Sequence, residues 1–150
     1  MVLGIVDFGR VFVSANVLSH ATTDAARYGA LNPTQVGPGA GTIRGRVIDE
    51  AARSSVTLTD QQVDIYYLDT GGQVTSCFIN GSATASAPGS DATTCPGGCP
   101  VGDTCPSPPL PGDYIQVKTH LPWSAATVLI QNVLPNGFTI DSSAAGVIQQ

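Results

Sequence analysis

The chain has 150 residues, enough for one domain with a real core, and only 11% of them are charged, for a net charge of −5. Six residues are basic and Lys118 is the single lysine, so the charge attracts no polyanion and excludes nucleic acid as an expected partner.

Residues 1–31 read as one long helix. At 100° per residue, Asp7, Arg10 and Ser14 fall within about 60° of one another and Asn16 stands apart. Val2, Leu3, Ile5, Val6, Phe8, Val11, Phe12, Val13, Val17 and Leu18 cover the rest. A helix apolar on nearly every side needs burial on nearly every side. From Ser19 the pattern narrows to one stripe, Leu18, Ala21, Ala25 and Tyr28, with Ser19, His20, Thr22, Thr23, Asp24 and Arg27 on the remainder. The second half is therefore expected to lie against a globular domain. The first half is expected to protrude, because a helix of about 45 Å is longer than one domain of this size needs.

Asp7 and Arg10 interrupt the apolar run after six residues, and no basic stretch follows Met1. Neither a cleavable signal peptide nor an uninterrupted span of about 20 apolar residues is read here. The expectation is a mature form cut inside or after a leader, or a chain whose upstream apolar stretch is missing; either places it outside the cytoplasm.

Beyond the helix, residues 32–41 form a loop with Pro33, Pro38 and three glycines. Thr42 is placed to cap a second helix in which Ile43, Val47, Ile48 and Ala51 share a face. Val63, Ile65 and Tyr67 alternate with Asp64, Tyr66 and Leu68; residues 74–79 make a short strand; Ile115, Val117, Thr119 and Leu121 alternate with Gln116, Lys118 and His120. These predict an antiparallel sheet with one wet face. Residues 125–134 read as a short helix or a strand, and residues 138–141 restart an extended pattern behind the Pro135-Asn136-Gly137 turn. The fold class is α+β: a protruding helix over residues 1–31, its C-terminal half packed on a head domain over residues 32–150.

Cys77, Cys95, Cys99 and Cys105 crowd into or beside a loop at residues 80–112, made mostly of Gly, Pro, Ser and Thr. A zinc knot built from two C-x2-C knuckles fits poorly, since the intervening lengths are 17, 3 and 5 residues with no histidine near. Two disulfides in an oxidising compartment are the expected reading, with three connectivities open. Asn80-Gly81-Ser82 matches the N-glycosylation pattern, and the Ser/Thr/Ala-rich stretch to Thr94 is a site for O-linked sugar, a plain polar loop being an equal alternative for both.

Catalysis finds little support. His20 and His120 are a hundred residues apart and both fall on sides read as solvated, and no nucleophile elbow, zinc-protease helix or phosphate loop occurs. Asp60, Asp64 and Asp69 match no calcium loop and read as a solvated strand end. No enzyme, metal or cofactor is expected.

The run Gly4-Ile5-Val6-Asp7-Phe8-Gly9-Arg10, followed by Asp24-Ala25-Ala26-Arg27-Tyr28-Gly29-Ala30-Leu31, resembles the signature of TadE-like proteins, pilin-related proteins of tight-adherence secretion systems. The resemblance implies an apolar helix followed by a small β-rich domain outside the membrane, with Ala51-Ala52-Arg53 in the second helix and residues 112–121 in a main strand. Only Met1, Val2 and Leu3 precede Gly4, where the family's apolar helix normally begins much earlier, which favours a processed subunit buried by copies of itself.

The energetics agree. About ten large apolar side chains lie on the first eighteen residues, each worth roughly 1.5–3 kcal/mol when buried, and leaving them in water is an aggregation liability. Val2, Leu3, Ile5, Val6, Phe8, Val11, Phe12, Val13 and Val17 are thus the expected assembly interface, with Asp7 and Arg10 inside it; the partner expected for Asp7 is Arg10 at i, i+3, a neighbouring copy's amino terminus being the alternative. The expected function is a subunit of an extracellular, cell-surface, pilus-like filament whose partners are its own copies, with membrane contact before assembly. The alternative is a membrane-tethered accessory protein of such a system.

Overall fold

A computed structural model describes residues 2–36, 39–78, 110–125, 132 and 137–149. Two helices, α1 (Val2–Leu31) and α2 (Ile43–Arg53), are followed by a 3-10 turn and by strands β1 (Val63–Leu68), β2 (Val74–Phe78), β3 (Tyr114–Trp123) and β4 (Phe138–Val147). All neighbouring strands run antiparallel in the order β2-β1-β3-β4.

α1 stops where its chemistry runs out. The Asn32 amide still bonds back to Tyr28 at 2.9 Å, but Pro33 follows and offers no N–H to continue. α2 starts where the sequence places a cap: the Thr42 hydroxyl accepts from the Gly45 amide at 3.0 Å, satisfying one of the donors that a helix start leaves free. Its buried side is Ile43, Val47 and Ala51, and Ile48 packs at the margin.

The core lies between the helices and one sheet face. Val63, Ile65 and Tyr67 of β1 stand beside Ile115, Val117 and Thr119 of β3, in the register Ile65↔Val117, and all are buried. α1 lies across β3 and β4 and beside α2. Small residues allow this: a Cβ on Gly146 of β4 would come within 2.9 Å of the Ala26 carbonyl oxygen and 3.1 Å of the Ala30 methyl carbon. On the opposite flank, a Cβ on Gly29 would meet Ile115 Cδ1 at 2.7 Å.

Several elements differ from the expectation. β4 runs ten residues, well past the extended pattern of residues 138–141, because its alternate positions Ser142, Ala144 and Gly146 are small enough to lie under α1. Thr22, on the polar side by its spacing, is fully buried: its hydroxyl bonds the Leu18 carbonyl at 2.6 Å and the Thr119 hydroxyl at 3.0 Å. Tyr28, expected in the core stripe, is half-buried, with its hydroxyl donating to the Gly41 carbonyl at 2.8 Å.

The second sheet face, expected to be wet, is not uniformly so: Asp64, Tyr66 and Cys77 are buried on it. Cys77 is not a free thiol. Cys95, Cys99 and Cys105 lie outside the described residues, as do Asn80, nearly all of the 80–112 loop and most of residues 125–134; no disulfide pairing is established among the described residues.

Candidate assembly surface

α1 carries two apolar sides with different fates. Leu18, Ala21, Thr22, Ala25, Ala26 and Ala30 are buried by the sheet and α2, and Val11, Ala15 and Val17 pack at the margin of the same core. The domain's own core therefore reaches one to two turns further toward the N-terminus than a start at Leu18, and Val11 and Val17 belong in part to it. On the other side Ile5 and Phe8 are 71% and 73% exposed, and Val6, Phe12 and Val13 are more than half exposed. These five span about 160° of the helix circumference. Nothing on α1 covers them. Val2 and Leu3 lie in the helix, ahead of this patch.

Asp7 has the opposite fate. Its carboxylate is 1% exposed in the single chain, on the side that faces the domain, and the half-exposed Arg10 donates to it from 3.5 Å, one turn on. The expected i, i+3 pair is present, but Asp7 is buried by its own chain without any neighbouring copy. Its side of the helix also carries Val11 and Leu18, which explains why it faces inward: Asp7, Val11 and Leu18 fall within about 40° of each other.

Where α1 and α2 diverge, a groove of about 730 Å³ opens, lined by His20, Asp24 and Arg27 of α1 and by Arg46, Glu50 and Arg53 of α2. Arg46 reaches Asp24 at 3.5 Å while its guanidinium lies 4.6 Å over the Tyr28 ring, and Arg53 bonds Glu50 at 2.9 Å.

The two histidines are not brought together. His20 is exposed on α1, whereas His120, expected on a solvated side, sits half-buried on the second sheet face between two carboxylates, Asp64 on β1 and Asp141 on β4. Asp64 is fully buried, not part of a solvated strand end, because its neighbours on that face are the ring of Tyr66 and the His120 imidazole. The Asp64 carboxylate raises the His120 pKa above the usual 6.5, burial opposes it, and Asp141 adds to the rise. Burial, and after it the Asp64 charge, push the Tyr66 phenol up to about 12. A lone strand alternation marks Asp64 and His120 as outward-facing; only the cross-strand register, which no local pattern carries, reveals them as neighbours. Among the described residues no three His, Cys, Asp or Glu side chains are placed to hold a metal ion.

A model of the TadE-like protein family matches residues 1–27, the segment that carries the exposed apolar patch, the Asp7–Arg10 pair and the start of the groove. This segment is therefore similar to a pilus-related family associated with the cell envelope. No curated protein and no solved structure matches the chain. Among the described residues, no helix is long and apolar enough to cross a membrane.

Proposed function

We propose that this chain is a structural subunit of an extracellular pilus-like filament, held together by the N-terminal half of α1. The observation that carries this reading is the patch of Ile5, Val6, Phe8, Phe12 and Val13, apolar and exposed on a helix whose opposite side is already anchored in the domain. Each side chain buried there contributes about 1.5–3 kcal/mol, and packing identical helices side by side supplies that burial by closed or propagating symmetry. The match of residues 1–27 to a pilus-related family supports it. Residues 1–31 act as the assembly helix and residues 32–150 as the outward head; no catalysis is assigned to either. Electron microscopy of the purified full-length chain tests the proposal: filaments are expected, and discrete globular particles at all concentrations contradict it.

Two disulfides in the head are part of the same proposal. Cys77 is fully buried on β2 and is not a free thiol, and bridges from the neighbouring loop would each contribute about 2–4 kcal/mol. The intact mass is then about 4 Da below that of the reduced chain, one S–S bond replacing two S–H bonds at each bridge; four alkylatable thiols in the native protein contradict it.

A second reading, a membrane-tethered accessory protein of the same system, draws on the same patch inserted in lipid. A chain that stays dispersed only with a bilayer or detergent, and forms no filament there, favours it.

A further inference from the structure

We propose that the open edge of β4 pairs antiparallel with β4 of a second copy of this chain inside the assembly, joining two sheets into one; this rests on the filament reading above. β4 is an outer strand, and no described strand pairs with its other side. Which groups it offers follows from the bonds already made. The Ile148 carbonyl accepts from the Gly112 amide, and the Ile148 amide donates to the Asp113 carbonyl, both on the β3 side. Successive residues of a strand turn their backbone groups to opposite edges, so the even-numbered residues of β4 bond β3. Thr139, Asp141, Ser143, Ala145 and Val147 therefore turn their amides and carbonyls to the open edge, and all five residues are exposed.

Edge strands resist such pairing by being short, bulged or armed with Lys and Pro. The other edge of this sheet does so: β2 has five residues, and its pairing with β1 shifts register at Leu68. β4 does not. It has ten residues in unbroken register with β3, contains no Lys, Arg or Pro, and its single charge, Asp141, is drawn toward β3 by His120.

The occupant follows from register and space. A two-fold at Ser143 sets Thr139 against Val147 and Asp141 against Ala145 of the second copy. All five open residues are then used, in roughly ten backbone bonds, with no like charges opposed. The two α1 helices lie on one face of the joined sheet. Because each sits over β3 and β4, their axes are about 10 Å apart, an ordinary packing distance. The flank of α1 nearest the open edge carries Ala30, whose carbonyl accepts from the Gln149 amide at 3.2 Å, and Ala26, both small enough for that approach. Phe8 and Phe12 continue the flank, within about 40° of Ala26 and Ala30 around the helix. α1 runs in the direction of β4, from Thr22, bonded to Thr119 opposite Ser142, to Ala26 and Ala30 at Gly146. Its apolar half therefore projects past Phe138, and the pair carries one apolar patch at each end. Patches that join pair to pair extend the assembly without closing it. Val147 is the single large apolar residue of the five, so the edge contact is weak alone and a chain without a working patch stays monomeric.

The test compares backbone amide exchange in the assembled wild type and in the Phe8→Lys monomer. The amides of Asp141, Ser143 and Ala145 are expected to exchange freely in the monomer and to slow by roughly tenfold or more on assembly. Those of Ser142 and Ala144, bonded to β3 in both states, should hardly change. Substitution checks the register: Ala145→Asp faces Asp141 of the second copy and should raise the critical concentration for assembly, read by pelleting, roughly tenfold, whereas Ala145→Lys should lower it. Both should keep the thermal midpoint of the monomer, since Ala145 is exposed. If filaments form but the three amides exchange as fast as in the monomer, or both Ala145 variants shift assembly in the same direction, the edge pairing is overturned and the filament reading stands. A discrete dimer with the three amides protected supports the pairing and overturns the filament. A wild type that neither assembles nor protects these amides overturns both.

Discussion

His120 Nε2 lies 3.2 Å from the buried Oδ2 of Asp64, and the other ring nitrogen of His120 lies 2.7 Å from Asp141. One imidazole thus ties three strands, β1, β3 and β4, on the sheet face away from the helices. No other group bonds the Asp64 oxygens among the described residues, so the His120 contact is what offsets their burial. The groups facing this cluster among the described residues are Tyr66 on β1, Lys118 on β3, whose ammonium sits 4.6 Å over the Tyr66 ring, and Ser143 on β4.

The raised His120 pKa makes stability depend on pH in one direction. Folding favours the protonated ring, so its contribution is fully present below pH 6.5 and is lost as pH rises through the higher folded value. The thermal midpoint of the wild type should fall from mildly acidic to mildly alkaline pH, and His120→Gln should remove this part of the slope. At acidic pH, His120→Gln should cost about 2 kcal/mol, less than the roughly 3–5 kcal/mol of a fully buried pair because His120 is 21% exposed. A histidine titration by NMR with a His120 midpoint below 6.5 contradicts the account.

Gly146 is expected to be the least replaceable residue of β4. Gly146→Ala forces its methyl against the Ala26 carbonyl, a backbone atom that cannot rotate away, and overpacking of this kind costs about 1–3 kcal/mol. Gly29→Ala should cost less, because the nearest atom there is the end of the flexible Ile115 side chain. Chemical denaturation of the two variants orders them; equal midpoints would mean that α1 does not press on β4 as described.

Much of this arrangement was legible in local pattern, and the misses share a cause. The 3.6-residue stripe of α1, the Thr42 cap and the two-residue alternation of β1 and β3 all depend on neighbours close in sequence, and all appear. Thr22, Asp64 and His120 read as solvated because Thr22 pairs with Thr119, Asp64 with His120, and His120 with both Asp64 and Asp141 across the fold, and a polar residue reads as solvated until such a partner is known. β4 extends further than local pattern predicts for the converse reason: Ser142, Ala144 and Gly146 have little intrinsic strand preference, and the close seat of α1 selects them.

The buried side of α1 can be separated from its open side by charge. Ala25→Glu places an unpaired carboxylate at a fully buried position and should unfold the domain or lower its midpoint steeply. Thr23→Glu, on the groove side, should leave the midpoint within about 0.5 kcal/mol of wild type. If circular dichroism melts show the two variants alike, α1 is not docked by this side.

Truncation should show where the domain ends on α1. Removing residues 1–6 keeps the buried Asp7, spares Val11, Ala15 and Val17, and should keep the thermal midpoint near that of the full chain. Removing residues 1–17 strips those three from the core margin and should cost about 1–3 kcal/mol for the two valines. Identical melts for both truncations would place the core boundary at Leu18 instead.

Sedimentation velocity of the full-length chain in detergent-free buffer, beside Phe8→Lys, tests the assembly claim most directly. Phe8 is 73% exposed, so a lysine there leaves the monomer's fold intact but puts a charge into any apolar helix packing. The account predicts large, polydisperse species for the wild type and a monomer near 15.3 kDa for the variant. A wild-type chain that sediments as that same monomer at every concentration contradicts it.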